Sequence, residues 1–186
     1  MDHFCAYCFQ SLLNHFNQEV DPIKINFKSE EYPLFVTWKI LAKEEYVLRG
    51  CIGNFSPMEL ESGLREYALN SALYDSRFDP ISINEIHKLQ VGISLLTEFQ
   101  VCTANDWEIG VHGIWIDFSN ERGQKFSSTF LPEVALEWNW DRQETLQHLV
   151  RKAGSSIQQV RDLKVTRYKS LKGSMTYQQY LEYSGR

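Results

Sequence analysis

No run in this sequence approaches the ~20 consecutive apolar residues that a membrane-spanning helix needs, which excludes an integral helical membrane protein. The N-terminus carries Asp2 and His3 where a signal peptide carries Lys or Arg, and no cleavage-site pattern follows. Without an export signal the four cysteines are expected to be reduced thiols, and the expected location is the cytoplasm, the nucleus or both. Basic charge is also scarce. Nineteen Lys and Arg against 24 Asp and Glu leave a net charge of −5, which disfavours sequence-blind nucleic-acid binding. The basic residues from Arg151 to Lys172 are too loosely spread to change this and read as a solvated surface.

Several motifs are missing as well. There is no Gly-X-Gly-X-X-Gly fingerprint and no P-loop, so neither common nucleotide-binding motif is present. Cys5-Ala6-Tyr7-Cys8 has the spacing of half a zinc site, but no second pair follows at finger spacing. It also lacks the preceding strand of a thioredoxin-like motif. Cys5, Cys8, Leu12 and Phe16 share one helix face, so these thiols read as core, with no metal site expected and the cofactor unknown. No repeat, low-complexity tract or linker interrupts the chain, and 186 residues fit a single domain spanning 1–186.

What is present suits a globular core: 43% apolar residues and 13% aromatics. The pattern predicts a helix from Asp2 to Gln18, a strand over 34–40, a turn at Lys43-Glu44-Glu45 and a returning strand over 46–49. Ser56, Pro57 and Glu59 have the arrangement of a capping box, so a helix is expected from there to about Ala72. Further strands are expected over 89–96, 110–117, 125–131 and 164–168, with Asn120–Gly123 as a hairpin turn. Pro132 opens a short helical segment, Asp141 caps a helix running to Lys152, and 177–183 is expected to be frayed helix or coil. Hairpins alternating with helices predict an α/β chain of the α+β type with mainly antiparallel pairing.

The chemistry concentrates at Arg49-Gly50-Cys51-Ile52-Gly53. Two glycines permit backbone angles closed to other residues, or the close approach of a ligand or a second backbone. A helix start a few residues downstream would favour an anion, and with Arg49 it would lower the pKa of the Cys51 thiol. Two readings stand side by side: a functional thiol, or buried filler beside glycines that serve a bulge or turn. A nucleophilic thiol needs a base, and among the five histidines His112 is the candidate, placed between Gly110 and Gly113 at a strand start. Its alternative is an outward-facing strand residue or a satisfied core histidine.

Leu48-Arg49-Gly50-Cys51-Ile52-Gly53 resembles the hallmark hexapeptide of the AMMECR domain family. Tyr32–Trp38, Asp75-Ser76-Arg77-Phe78, Gly110-Val111-His112-Gly113-Ile114, Leu131–Ala135 and Thr166-Arg167-Tyr168 resemble further family segments in the same order. The paired cysteines near the start resemble the eukaryotic branch. The resemblance implies two unequal lobes with sheets flanked by helices, the hexapeptide lining a surface or cleft, and no established activity, substrate or cofactor. It also implies a shared site for Arg49, Cys51 and His112, and adds Arg77 as an anion-binding candidate or a surface ion pair. Asn54 and Trp115 depart from the residues expected in many relatives, a small hydroxyl and a basic residue respectively. Two function classes follow. One is a small-molecule or anion pocket in which Cys51 and His112 are catalytic and Arg49, Gly50, Gly53 and Arg77 bind ligand. The other is a non-enzymatic module that docks a protein partner on the hexapeptide. Oligomeric state is not encoded in any motif.

Overall fold

The chain is represented by a computed structural model that describes residues 1–18, 20–27 and 30–185. It is an α+β fold whose strands hydrogen-bond in the order β2-β1-β3-β6-β4-β5, with antiparallel pairing of β1 to β2 and β3, and of β4 to β5 and β6. Two compact units divide the chain, residues 1–95 with 171–186 and residues 96–170. Strands β3 (Leu89–Cys102) and β6 (Arg161–Thr176) contribute to both. No helix among the described residues is long and apolar enough to cross a membrane.

In the first unit, α1 (Asp2–His15) and α2 (Leu60–Leu73) cover one face of the sheet formed by β1 (Glu31–Ala42), β2 (Glu45–Glu59) and the start of β3. Alternation in β1 sends Leu34, Val36 and Trp38 into this core, where they meet Phe9 and Leu12 of α1 and Leu64 and Ala68 of α2. The Trp38 indole N–H donates to the Ala68 carbonyl at 2.9 Å, which satisfies the one polar atom of a fully buried ring. Cys5 and Cys8 are core residues, and burial pushes the Cys5 thiol up to about 12 and Cys8 well above its ordinary value. Helix α1 stops three residues short of the expected Gln18. Asn17 adopts a left-handed conformation, and the Gln18 N–H closes back on the Leu13 carbonyl at 3.0 Å. The C-terminal segment, expected as frayed helix or coil, is a helix, α5 (Tyr177–Ser184). Thr176 and Gln179 form its capping box, and buried Tyr180 stacks on Phe9 with ring centroids 5.3 Å apart.

In the second unit, β4 (Gly113–Ser119) and β5 (Lys125–Phe130) form the expected hairpin. The Asn120 side chain accepts from the backbone N–H groups of Arg122 and Gln124 at the turn. Pro132 begins α3 (Pro132–Glu137), and Asp141 with Glu144 forms a capping box at α4 (Arg142–Lys152). Trp107, Ile114, Ile116, Leu149, Val150 and Val165 make a separate small core. The scattered basic residues here are tied into surface pairs: Arg161 with Glu121, Arg167 with Asp106 and Lys169 with Glu98.

Candidate functional site

The hexapeptide is not a strand-to-helix loop. It lies in the middle of β2, which continues through Ser56 and Pro57 to Glu59. Helix α2 begins at Leu60, with the Glu59 carboxylate accepting from the N–H groups of Glu61 and Ser62. The expected cap at Ser56 and the expected helix start at Pro57 are therefore corrected. A proline at an edge-strand position and a carboxylate able to cap its own helix fit this sequence equally well. Strand residues 52–59 separate Cys51 from the N-terminus of α2, and it is the last turn of that helix, at Ser71, that lies against the adjacent Gly50, so the expected helix N-terminus beside the thiol is also corrected.

β2 pairs with β1 alone, so one of its sides is an open edge. Arg49 and Cys51 of the hexapeptide answer to that position. Between Trp38↔Gly50 and Lys39↔Leu48 the register slips, and Arg49 is the extra residue of a bulge. Its side chain turns off the edge and is fully engaged. Nε and Nη2 donate to the two carboxylate oxygens of Glu85 at 2.8 and 3.2 Å, and Nη1 donates to the Asp79 carbonyl at 2.6 Å. The Glu85 carboxyl, which burial pushes up, lies below its ordinary value because Arg49 and the backbone of Ser82 donate to it. Arg49 therefore straps the 79–85 segment to β2. Arg49→Lys loses the bidentate fork, and urea denaturation is expected to show a loss of about 1–2 kcal/mol, with no change pointing to a replaceable point charge.

Gly50 is buried on the core face opposite Trp38. A Cβ there would fall inside contact distance of the Ser71 carbonyl oxygen, so glycine is needed to let helix α2 approach the strand. Gly53 lies on the other face, where the Phe35 ring lies over the position of the missing side chain and meets Phe55 edge-on at 4.9 Å. Neither glycine has a positive φ. Of the two uses expected from the sequence, close approach is the one realised, and the approaching groups belong to this chain.

Cys51 pairs with Thr37. Its own N–H and C=O point away from β1, so this is a non-hydrogen-bonded pair, in which facing side chains come closest. The Thr37 hydroxyl donates to Cys51 Sγ at 3.1 Å. On the open side, the Cys51 N–H donates to Asp75 Oδ2 at 2.9 Å, and Arg77 Nη2 donates to the Cys51 carbonyl at 3.2 Å. Arg77 also grips Asp75, with Nε to Oδ1 at 2.9 Å and Nη2 to Oδ2 at 2.6 Å. Asp75 and Arg77 thus take the place of a neighbouring strand. The Arg77 donors, together with the Cys51 N–H, hold the Asp75 carboxyl well below the usual carboxylate range despite its burial. The Asp75 side chain is 6% exposed and that of Arg77 56% exposed, so the pair presents its cation to solvent.

The register also identifies the neighbours of the thiol. Phe35, Thr37 and Lys39 share the helix-distal face with Gly53, Cys51 and Leu48 on one side and Ser94, Gly92 and Gln90 on the other. Around Cys51 this face carries small, half-buried residues. Asp75 escaped the sequence reading as a participant, although it stands two residues before Arg77. An Asp-X-Arg spacing after a helix was the available signal. Glu85 had no local signal.

His112 belongs to the second unit and follows a turn in which its N–H donates to the Glu108 carbonyl at 3.0 Å. Its Nδ1 accepts from the Glu108 N–H at 3.1 Å. The neutral ring therefore carries its proton on Nε2, the tautomer that makes this nitrogen a donor. Among the described residues no group of three or more His, Cys, Asp or Glu side chains is arranged to hold a metal ion.

Fold and site together define an antiparallel α+β protein whose bulged edge strand is closed by side chains of the following segment. The chain belongs to the AMMECR1 family, whose model matches residues 5–172. It is 44% identical to an uncharacterised protein of Arabidopsis thaliana over 185 residues, covering 96% of this chain and 86% of that one. An uncharacterised protein of Schizosaccharomyces pombe is 39% identical over 183 residues, covering 96% and 94%. The crystal structure of an uncharacterised protein from Pyrococcus horikoshii aligns with a TM-score of 0.70 at 25% identity, covering 92% of this chain and 89% of that one. The biochemical activity of the family is not established by these relatives.

Proposed function

We propose that the helix-distal face of β1, β2 and β3 around Cys51 is a ligand-binding floor, with the Cys51 thiol as its reactive or contacting group and Arg77 as the cation for an anionic ligand. The observation that carries this reading is the double fixation of one residue. Asp75 and Arg77 pin the Cys51 backbone from the strand edge, while the Thr37 hydroxyl donates to its sulfur. A thiol whose position is set by surrounding hydrogen bonds is preorganised for contact with a ligand. Small neighbours at Gly92 and Ser94 flank it on the β3 side, while the Phe35 ring covers Gly53. Arg49, Gly50 and Gly53 contribute by building the strand, since their own atoms are engaged within the chain.

Site-resolved alkylation against pH tests this. Cys51 is expected to react in the native protein while Cys5 and Cys8, buried with raised pKa values, do not. Thr37→Val removes the donor to sulfur and is expected to change the rate of Cys51 alkylation; a Cys51 as inert as Cys5 refutes the reading. The assignment of His112 as a base, made from the sequence, is tested in the same series by His112→Ala, which must shift the Cys51 profile if that role is correct.

A second reading, a non-enzymatic docking surface for a protein partner, is favoured by a separate observation. Leu41 and Leu48, on the helix-distal face of the β1–β2 hairpin at the start of the hexapeptide, are 38% and 41% exposed. Under this reading Leu48→Asp abolishes partner binding, while Cys51→Ser leaves it intact.

A further inference from the structure

The second unit carries a surface that the hexapeptide reading does not use. Helix α3 ends in a Schellman motif: Asn139 is left-handed, its N–H returns to the Leu136 carbonyl at 3.1 Å, and the Trp140 N–H returns to Ala135 at 2.9 Å. This reversal brings the tryptophans on either side of Asn139 onto one side of the chain. Trp138 stacks on Trp140 with centroids 5.8 Å apart and planes 17° from parallel. His148 of α4 stacks on Trp140 at 3.8 Å and 9°. The result is a three-ring column held by helix-end hydrogen bonds, and Trp138 at its outer end is 67% exposed. Exposed tryptophan on a rigid support is costly to leave in water and is the residue type most enriched among binding anchors.

The charge around the column selects the partner. Glu133, Glu137, Asp141 and Glu144 are close to it in the chain. The one cation among residues 132–148, Arg142, is directed elsewhere, with Nε donating to the Trp107 carbonyl at 2.7 Å and its guanidinium 6.0 Å from the Trp107 ring. Lys152, whose Nζ lies 4.8 Å from the ring of Phe130 beside Trp140, is likewise engaged, donating to the Thr129 carbonyl at 2.8 Å. An aromatic face on so acidic a segment disfavours phosphate-bearing ligands and favours a cation. Guanidinium satisfies both features, stacking flat on indole and pairing with carboxylate.

We propose that the Trp138–Trp140–His148 column is a docking site for an arginine-containing segment of a partner protein, with one guanidinium lying on the outer face of Trp138 and paired with Glu137. The site is separate from the one proposed at Cys51, and neither depends on the other.

The full chain, titrated with an Arg-Gly repeat peptide and followed by tryptophan fluorescence and amide chemical shifts, tests this. Binding with shifts confined to residues 130–148 is expected, and a Glu-Gly peptide of equal length should not bind. Trp138→Ala is expected to weaken binding by about five- to thirtyfold, the range of a partly desolvated cation–π contact. Glu137→Arg should weaken it further. Tyr74→Ala, which removes an aromatic 71% exposed in the first unit, is the control and should leave affinity unchanged. Equal binding by the wild type and Trp138→Ala overturns the proposal, as does Trp138-dependent capture of cellohexaose or phosphatidylcholine vesicles in place of the peptide. Self-association of the wild type that Trp138→Ala abolishes overturns it in favour of a contact between copies. Because Trp138 is so exposed, its variants are expected to keep the wild-type thermal transition, which separates lost binding from lost folding.

Discussion

Gly50→Ala is expected to lower the unfolding free energy by about 3 kcal/mol or more, the upper end of what overpacking costs. The reason is local. The added methyl meets the Ser71 carbonyl oxygen, which is part of the backbone of α2, so no rotamer change can relieve the clash. Either α2 lifts from β2 or the strand distorts, and both moves expose the core around Trp38, Leu64 and Ala68. A loss of that size is a large share of the roughly 5–15 kcal/mol that stabilises a typical domain. Gly92→Ala in β3, on the far side of β1, is the matched control. There the nearest atoms to a new Cβ lie 3.8–3.9 Å away, ordinary contact distance, and the change should be within about 1 kcal/mol. Urea denaturation of the two variants decides the matter. If they prove equally mild, Gly50 does not mediate a close helix–strand approach.

The second large effect is expected at Asp75. Its carboxylate accepts from the Cys51 N–H and from the backbone and side chain of Arg77, and it is nearly buried. Asp75→Ala leaves the Cys51 N–H and the Arg77 fork without their acceptor. The expected cost is about 2–3 kcal/mol at neutral pH, held to that range because Arg77 is largely exposed and its charge is screened. The sign of the pH dependence follows from the depressed pKa. In the unfolded chain an Asp titrates near 3.9, so the stabilisation is fully present above about that pH. It is lost as pH falls from there toward the lower folded value, where Asp75 is protonated. The gap in stability between the wild type and Asp75→Ala is therefore expected to hold from pH 7 to about 4 and to narrow as pH falls below that. A gap that stays constant with acid would mean that the carboxylate's charge contributes nothing to the edge. The thiol profile of Cys51 should change in the same variant, because the residue loses its backbone anchor.

Much of the fold was legible because local signals agreed with tertiary demands. Alternation at Leu34, Val36 and Trp38 marks a strand with one buried face, and that face is the core. Cys5 and Cys8 at helical spacing marked core thiols, and they are fully buried. Asn120 and Pro132 marked a turn and a helix start through chemistry that acts within a few residues. Where signals compete, local reading failed. Ser56-Pro57 offered a plausible cap, yet pairing with β1 extends the strand past it, and Glu59 caps instead. The segment 177–183 read as frayed helix or coil, and it is helix α5. Burial of Tyr180 against Phe9, far away in the chain, supplies the packing that a short helix lacks by itself.

The candidate site divides in the same way. The sequence singled out Arg49, Gly50, Cys51 and Gly53 because glycines bracketing a thiol and an arginine depart from packing periodicity, His112 because it lies between glycines, and Arg77 through the family resemblance. It also determined the α+β class and the core faces, since these depend on residue type and on spacings of two and 3.6. Only the tertiary structure decided what those residues touch. It gave Arg49 to Glu85, 36 residues away, and placed Asp75 and Arg77 along the open edge of β2 at Cys51. It set Ser71 against Gly50. Such partners are fixed by strand register and helix docking, which sum many weak contacts over the whole chain, and no window of neighbouring residues contains that sum.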